Sequence, residues 1–123
     1  MTGTAPRREG YHTLTSRLVV PDLDAQVAFL RAVFDATGDV VADRPAELRI
    51  GDSLLMVTQA GARELFPASL YVYVDDADAT YERAIAAGAT TMEPPLDTPY
   101  GDRRAMVRDP FGNIFQIAHL LPR

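Results

Sequence analysis

A short sequence pattern occurs twice in this chain, 54 residues apart, and it limits the folds that the chain can adopt. The segment VPDLDA at residues 20–25 matches VDDADA at residues 74–79. In each copy an apolar run precedes the aspartates and a helical pattern follows them. GDSLLMV at residues 51–57 also resembles GNIFQI at residues 112–117, with one residue of slippage. Two matches in the same order around the same predicted elements indicate an internal duplication.

The first copy has the pattern of a strand, a helix and further strands. Tyr11–Val20 alternates between apolar and polar residues, with Leu14 and Leu18 on the face predicted to be buried. Asp22 is a candidate N-cap, because its carboxylate can accept hydrogen bonds from free amides of the first helical turn. Apolar residues at helical spacing predict a helix over Leu23–Ala36. Three short strands are predicted to follow: Val40–Ala42, Glu47–Ile50 and Leu54–Thr58.

The second copy repeats this order and ends in a hairpin. The hairpin turn is Asp109–Asn113, in which Pro110 presets its own φ, Gly112 permits a positive φ, and the aspartate can accept from nearby amides. Glu93–Pro99 is rich in proline and is predicted to be a loop, either a lid over a pocket or a connector. The other predicted elements are a strand at Ser69–Val74, a helix at Ala77–Ala87 and strands at Thr90–Met92, Arg103–Arg108 and Ile114–Ala118.

Three strands after each helix imply an antiparallel or mixed sheet with the helices on one face. We therefore predict an α+β fold of two tandem βαβββ modules that form a cupped mixed sheet with helices on the outer face. The modules span residues 11–60 and 68–121, residues 61–67 link them, and residues 1–10 form a flexible leader. The modules together make one domain. The free face of such a sheet can curve around a ligand.

Charge and composition exclude several classes of function. The net charge is −5 and the pI about 4.8, whereas nucleic-acid binding needs a basic surface. The chain has no cysteine, so it has no disulfide, thiolate metal site or cysteine nucleophile. It also lacks an apolar run that could span a bilayer or serve as a signal peptide. We expect a cytoplasmic protein without a nucleic-acid or membrane partner.

Several motifs resemble those of the glyoxalase/bleomycin-resistance/extradiol-dioxygenase superfamily, which has the vicinal oxygen chelate fold. Besides the two aspartate motifs, they are FLRAVF at residues 29–34, AAGA at 86–89, YGDR at 100–103 and RDPFGN at 108–113. The resemblance extends over roughly Tyr11 to Leu120. It implies paired βαβββ modules, a cupped sheet that is usually completed in a homodimer, and a ligand in the cup.

The same resemblance implies positions for a divalent metal, which superfamily enzymes hold with His or Glu from the first and last strands of each module. In this chain those positions fall on Thr15, Met56, Ser69 and Gln116. Hydroxyl, thioether and amide groups are poor ligands for the usual divalent ions. We therefore predict that the protein has no metal site of this type and no cofactor.

If these positions face the cup, their neighbours two residues away face it as well. Tyrosines, a guanidinium and an amide on one surface suit a planar, partly aromatic ligand. The tyrosines could instead pack at a dimer interface or on the sheet surface, and Arg17 could extend into solvent. Arg103 and Arg104, beside Tyr100, are candidates for the rim of the cup or for an exposed strand edge. The predicted ligand-binding residues are Thr15, Arg17, Met56, Ser69, Tyr71, Tyr73, Tyr100 and Gln116.

The leading hypothesis is a metal-free small-molecule binding protein of the bleomycin-resistance type. It would sequester an aromatic or antibiotic-like ligand in the groove of a homodimer. This hypothesis favours a binding protein over an enzyme, because the metal ligands of the superfamily are absent. One alternative is a glyoxalase-, dioxygenase- or epimerase-like enzyme with displaced metal ligands at Asp102, Glu47 or His119. Another is a dimeric protein whose cup is vestigial and filled by its own side chains. Both histidines, His12 and His119, are predicted to be packed and hydrogen-bonded.

Overall fold

The structure, a computed structural model, describes residues 6–61 and 63–122. Residues 1–5 of the predicted leader, residue 62 of the predicted linker and residue 123 lie outside the described residues. The elements in chain order are β1 (Ser16–Val20), α1 (Leu23–Phe34), β2 (Ala46–Ile50), β3 (Ser53–Gln59), β4 (Ser69–Tyr73), α2 (Ala77–Ala86), β5 (Thr90–Asp97), β6 (Asp102–Arg108) and β7 (Ile114–Leu120).

The strands form two mixed sheets, one of three strands and one of four, in which the corresponding strands have the same order. The first sheet has the order β1-β3-β2, with β3 parallel to β1 and antiparallel to β2. The second has the order β4-β7-β6-β5, with β7 parallel to β4 and antiparallel to β6. This confirms the α+β class and the repeated modules. The hydrogen-bonded strands of the described chain make two sheets rather than one continuous sheet.

The two helices begin in the same way, as the repeat predicts. Asp22 and Asp76 are both extended N-caps, with φ of −139° and −142°. Each carboxylate accepts from the amide three residues later, at 3.1 Å in both helices. The cap satisfies a backbone donor that has no intrahelical partner. Neither helix of the described segments is long and apolar enough to cross a membrane.

A single hydrophobic core joins the two modules. Phe115 of β7 is fully buried and packs against Phe29 and Phe34 of α1, at ring-centroid distances of 6.0 and 5.1 Å. The first helix therefore packs on a strand of the second sheet. Val107 of β6 and Leu30 of α1 belong to the same core cluster. Because the apolar faces of both helices pack into this one cluster, neither module has a separate core.

The hairpin turn between β6 and β7 has the predicted backbone conformation and hydrogen bonds, and it also contacts α1. Gly112 has a φ of 94°. Asp109 Oδ1 accepts from the amides of Phe111 and Asn113, at 2.9 and 2.8 Å. Gln26 of α1 then joins the turn, because its amide hydrogen-bonds to the Asp109 and Asn113 side chains. All three polar side chains are buried, so a satisfied polar network connects the first helix to the second module.

Two predicted strand segments in the first module are wrong. The first strand begins at Ser16, which pairs with Leu55, rather than at Tyr11. Leu14, expected in the core, is 83% exposed because it precedes the strand. Val40–Ala42 forms no strand and is exposed. Isolated β-propensity is insufficient there, since a strand also needs a partner and a buried face.

The predicted proline-rich loop is also wrong, because β5 continues through it to Asp97. Pro94 and Pro95 lie within this strand, between shifts in its pairing with β6. β5 is an edge strand, where proline removes no required ladder hydrogen bond. Glu93–Pro99 is therefore mostly strand rather than the predicted loop.

Candidate functional site

The second sheet has one face packed on the core and one face that we call the open face. Along β7, Phe115 and Ile117 are fully buried in the core, whereas Gln116 points to the opposite side. The register pairs Gln116 with Tyr71 of β4, and Ala118 with Tyr73. These residues therefore share the open face. Alternation within the strands brings two of the predicted tyrosines next to the predicted amide.

Both tyrosines reach across β7 to a carboxylate on β6. Tyr71 Oη and Tyr73 Oη donate to Asp102 Oδ2, at 2.6 and 2.8 Å. Asp102 is only 2% exposed. Ala118 lies between these strands and is completely covered. Its methyl group leaves room for the two rings, whose centroids are 5.4 Å apart at an interplanar angle of 57°.

A hydrogen-bonded chain continues from these tyrosines to an ion pair. Tyr100 Oη lies 3.5 Å from Tyr71 Oη and accepts from Arg104 Nη1 at 2.9 Å. Arg104 Nη1 also lies 3.4 Å from Gln116 Oε1, and its Nη2 pairs with the Glu93 carboxylate. We call the following set the tyrosine cluster: Tyr71, Tyr73, Glu93, Tyr100, Asp102, Arg104 and Gln116.

Burial and the hydrogen bonds to Asp102 raise the pKa values of the two central phenols and keep them protonated. Burial raises the pKa of Tyr71 far above its ordinary value, and the hydrogen bond to Asp102 raises it further. For Tyr73 the hydrogen bond to Asp102 is the main cause of the raised pKa, followed by burial. Ionising either phenol would place a second negative charge beside the carboxylate. Both groups therefore act as hydrogen-bond donors that fix the rings in place.

We expect Tyr71 and Tyr73 to ionise later than ordinary tyrosines in an alkaline titration followed by phenolate absorbance. A raised folded-state pKa stabilises the fold fully below about pH 10, and this contribution is lost as pH rises through the folded pKa. Tyr71→Phe should remove one late-ionising group. Tyr81→Phe is the control, because Tyr81 hydrogen-bonds to Thr91 and not to Asp102. An unchanged late component in Tyr71→Phe would contradict this assignment.

In the first module the equivalent strand positions carry Arg17 and Met56. These residues are paired in the register of β1 and β3, and Arg17 Nη2 lies 3.1 Å from Met56 Sδ. Both are half-buried. Arg17 and Tyr71 are 54 residues apart, and their register partners are Met56 and Gln116. The structure therefore shows that Met56 and Gln116 are equivalent positions of the repeat.

The remaining two predicted site residues lie at strand ends. Thr15 directly precedes β1 and is half-buried, while Ser69 opens β4 and is exposed. Ser69 pairs with Ile114, on the same face as Tyr71. In the described ranges, neither residue makes a side-chain hydrogen bond to the tyrosine cluster.

A cavity of about 320 Å³ lies between the modules, beside the two central tyrosines. It is lined by Leu70–Tyr73 of β4, by Ser53–Leu55 at the start of β3, and by Ser16. A second cavity of about 440 Å³ shares Tyr73 and the Ile50–Gly51 turn with the first. Cavities of this size suit small organic molecules. Tyr73 therefore lies where the tyrosine cluster and both cavities meet.

Comparison with known proteins identifies the family. Residues 11–117 match the Glyoxalase/Bleomycin resistance protein/Dioxygenase superfamily. The chain belongs to this superfamily. It is 32% identical over 118 residues to the uncharacterized protein Mb0911c of Mycobacterium bovis, with 81% of this chain and 78% of the relative covered. A shorter match, 43% over 54 residues, is to the putative glyoxylase CFP32 of Mycobacterium bovis and covers 44% of this chain and 21% of that protein.

Solved structures of superfamily proteins share the fold over most of their length. TioX from Micromonospora sp. ML1 has a TM-score of 0.74 and 28% identity, with 88% of this chain and 98% of TioX covered. A glyoxalase/bleomycin resistance protein/dioxygenase family enzyme from Burkholderia phytofirmans PsJN has a TM-score of 0.77 and 26% identity, with coverages of 87% and 97%. The site described above therefore lies within the paired-module fold of the superfamily.

The superfamily's metal does not fit the donors that this chain offers. Thr15, Met56, Ser69 and Gln116 provide hydroxyl, thioether and amide groups, which are weak ligands for the usual divalent ions. Within residues 6–61 and 63–122, no group of three or more His, Cys, Asp or Glu side chains could hold an ion. The donors at the four positions that the resemblance implies therefore do not form a set that suits a divalent metal.

The three candidates for displaced metal ligands, Asp102, Glu47 and His119, do not form a cluster among the described residues. His119 Nδ1 accepts from the Ala77 amide at 2.8 Å, which confirms that this histidine is hydrogen-bonded. Asp102 shares the open face with Leu120, its register partner in β7. His119 directly precedes Leu120 in that strand, so it points to the opposite face of the second sheet. Glu47 pairs with Arg8 and Arg44 in the first module. His12 is exposed, so the prediction that it is packed is wrong.

Three members of the tyrosine cluster were not predicted as ligand-binding residues. Asp102 was considered only as a displaced metal ligand, Arg104 only as a possible rim residue, and Glu93 as part of a loop. The missing information is the order of strands in the sheet, which brings β4 and β6 to either side of β7. A signal was present in the sequence, because YGDRR places an aromatic, an acid and two bases within five residues.

Proposed function

We propose that this protein binds a planar, partly aromatic small molecule against the tyrosine cluster, without a metal. The observation that carries this proposal is that Tyr71 and Tyr73 line a cavity in positions fixed by hydrogen bonds, with Tyr100 exposed beside Tyr71. Tyr71, Tyr73 and Tyr100 are 38, 64 and 62% exposed. Large aromatic surfaces of this kind normally become buried when a ligand or partner binds.

The tyrosines suit binding because their orientation is already determined in the free protein. Each central phenol is held by Asp102, so little side-chain entropy remains to be lost when a ring stacks on it. Gln116 and Arg104 lie beside the rings and provide polar groups that can orient a ligand. The weak metal donors at the superfamily positions support sequestration over metal-dependent catalysis.

We further propose that the working form is a cytoplasmic homodimer in which a second copy completes the groove, and that sequestration confers resistance to an antibiotic-like compound. Leu120 supports this arrangement. It pairs with Asp102 in the β6–β7 register, lies on the open face and is exposed. An exposed leucine beside exposed tyrosines favours burial by a partner surface.

The proposal is tested with a thermal-shift screen of planar aromatic compounds, followed by calorimetric titration of those that stabilise the protein. Tyr73→Ala should weaken binding about tenfold, because loss of one stacked ring costs about 1 to 1.5 kcal/mol. Phe66→Ala is the matched control, since Phe66 is also an exposed aromatic but lies outside the tyrosine cluster and both cavities. Equal losses in both variants would contradict binding at this site.

A vestigial cup is the second candidate, and the hydrogen bonds from Tyr71 and Tyr73 to Asp102 are the observation that favours it. On that hypothesis no planar compound raises the melting temperature.

Native mass spectrometry after exposure to Mn, Fe, Ni and Zn tests the enzyme alternative. A stoichiometric metal would overturn the metal-free proposal and favour displaced ligands.

A further inference from the structure

We infer that the ligand of the tyrosine cluster carries a positively charged nitrogen, as an ammonium or amidinium group attached to its planar part. This inference rests on the proposed function and specifies its ligand class. It is based on one buried carboxylate, the absence of a cationic partner for it among the described residues, and the electron-rich rings that cover it.

Asp102 is the uncompensated charge of the site. It is almost completely buried, and the side-chain donors to its carboxylate are the phenols of Tyr71 and Tyr73. In the part of the chain that the structure describes, no Lys, Arg or His lies within ion-pair distance of it. A buried carboxylate is normally paired, because its desolvation is costly. A cationic ligand would provide the missing charge.

The other charged groups around the cluster are already neutralised by protein partners. Arg104 is mostly buried and pairs with Glu93. Arg103 projects to the other face, where it pairs with Asp78 and Asp97. The tyrosine cluster therefore contains two carboxylates and one guanidinium, a net charge of −1. The whole chain has a net charge of −5, which also favours the approach of cations.

The rings offer the geometry that a cation needs. A phenol that donates its proton toward a carboxylate becomes richer in electrons, so its face attracts a cation more strongly. Tyr71 and Tyr73 both donate in this way to one oxygen atom, and their rings are tilted toward each other by 57°. Exposed cation–π contacts contribute modestly, and desolvated ones contribute more. Asp102 can therefore act through the two rings without touching the ligand.

Three compounds with one tricyclic frame test the charge preference: proflavine, acridone and acridine-9-carboxylate, which are cationic, neutral and anionic at neutral pH. Each is titrated calorimetrically into the wild-type protein, Asp102→Asn and Asp97→Asn. We expect proflavine to bind the wild-type protein about tenfold more tightly than acridone, and the carboxylate to bind most weakly. Asp102→Asn should remove most of this preference, measured as the ratio of the proflavine and acridone affinities. Asp97→Asn is the control, because it removes an equal charge from an exposed site that pairs with Arg103.

The outcomes separate this inference from the proposed function. If the three compounds bind with equal affinity at a site that Tyr73→Ala weakens, the charge inference is wrong and the binding function stands. If Asp97→Asn removes the preference as strongly as Asp102→Asn, the effect comes from overall charge and the inference is also overturned. If neither these compounds nor the screened planar compounds bind, both proposals are wrong. Circular dichroism of Asp102→Asn verifies that the fold is retained.

Discussion

Replacing Asn113 with alanine should lower the free energy of unfolding by about 3 kcal/mol, because it leaves several buried polar groups without partners. Asn113 Nδ2 donates to Gln26 Oε1 at 2.8 Å and to Asp109 Oδ2 at 3.0 Å. Its Oδ1 accepts from the Ala68 amide at 3.0 Å. None of these side chains can reach water as a substitute, since Gln26, Asp109 and Asn113 are all buried.

Urea denaturation followed by circular dichroism measures this effect. Gln59→Ala is a suitable control, because Gln59 also accepts a backbone hydrogen bond but is exposed, and its loss should cost about 1 kcal/mol or less. A double-mutant cycle with Gln26→Ala should show strong coupling between Gln26 and Asn113. A cost below that of the surface control would mean that the turn network does not hold the two modules together.

Phe115→Ala should have the largest effect on stability, about 4 kcal/mol, because it creates a cavity where the modules meet. Phe115 is fully buried and contacts two phenylalanines of α1. The surrounding strands cannot collapse easily into the space, since β7 is paired on both sides. A loss of this size is a large fraction of the roughly 5 to 15 kcal/mol that stabilises a typical domain.

Phe115→Leu is the matched control, since it retains an apolar side chain and should cost much less. Both variants are compared by thermal and chemical unfolding. The unfolding should remain a single transition if the modules share one core, and Phe115→Ala should lower its midpoint. Two separate transitions in the wild-type protein would contradict the shared core.

The tyrosine cluster and the turn network have different roles in this fold. The Gln26–Asp109–Asn113 network and Phe115 lie on the core side of the second module, where they fix one module against the other. The tyrosine cluster lies on the open face of the same sheet. Variants of the core should therefore act mainly on stability, whereas Tyr73→Ala, at a largely exposed ring of the cluster, should act mainly on ligand binding.

Much of the fold could be predicted because its signals are local. The helix N-caps at Asp22 and Asp76 depend on residues within one turn, and the turn at Asp109–Asn113 depends on five consecutive residues. The repeat offset of 54 residues then implied that the two halves have equivalent elements. Alternation correctly placed Tyr71 and Tyr73 on one face, because the side-chain period of a strand is fixed by its backbone.

Prediction failed where a segment's structure depends on its neighbours. Val40–Ala42 has strand propensity but no strand partner, so it remains irregular. Prolines in Glu93–Pro99 suggested a loop, yet β5 tolerates them because it lies at the sheet edge. Neither fact is present in the local sequence, because edge position and strand pairing are properties of the assembled sheet.

The sequence by itself determined the duplicated α+β architecture and the superfamily, and the resemblance implied that Thr15, Met56, Ser69 and Gln116 occupy its metal-ligand positions. Only the tertiary structure decided that Tyr71 and Tyr73 share the carboxylate of Asp102, about thirty residues away. The physical reason is the strand order. Hydrogen bonding places β7 between β4 and β6, and a small residue at position 118 lets side chains from the outer two strands meet above it.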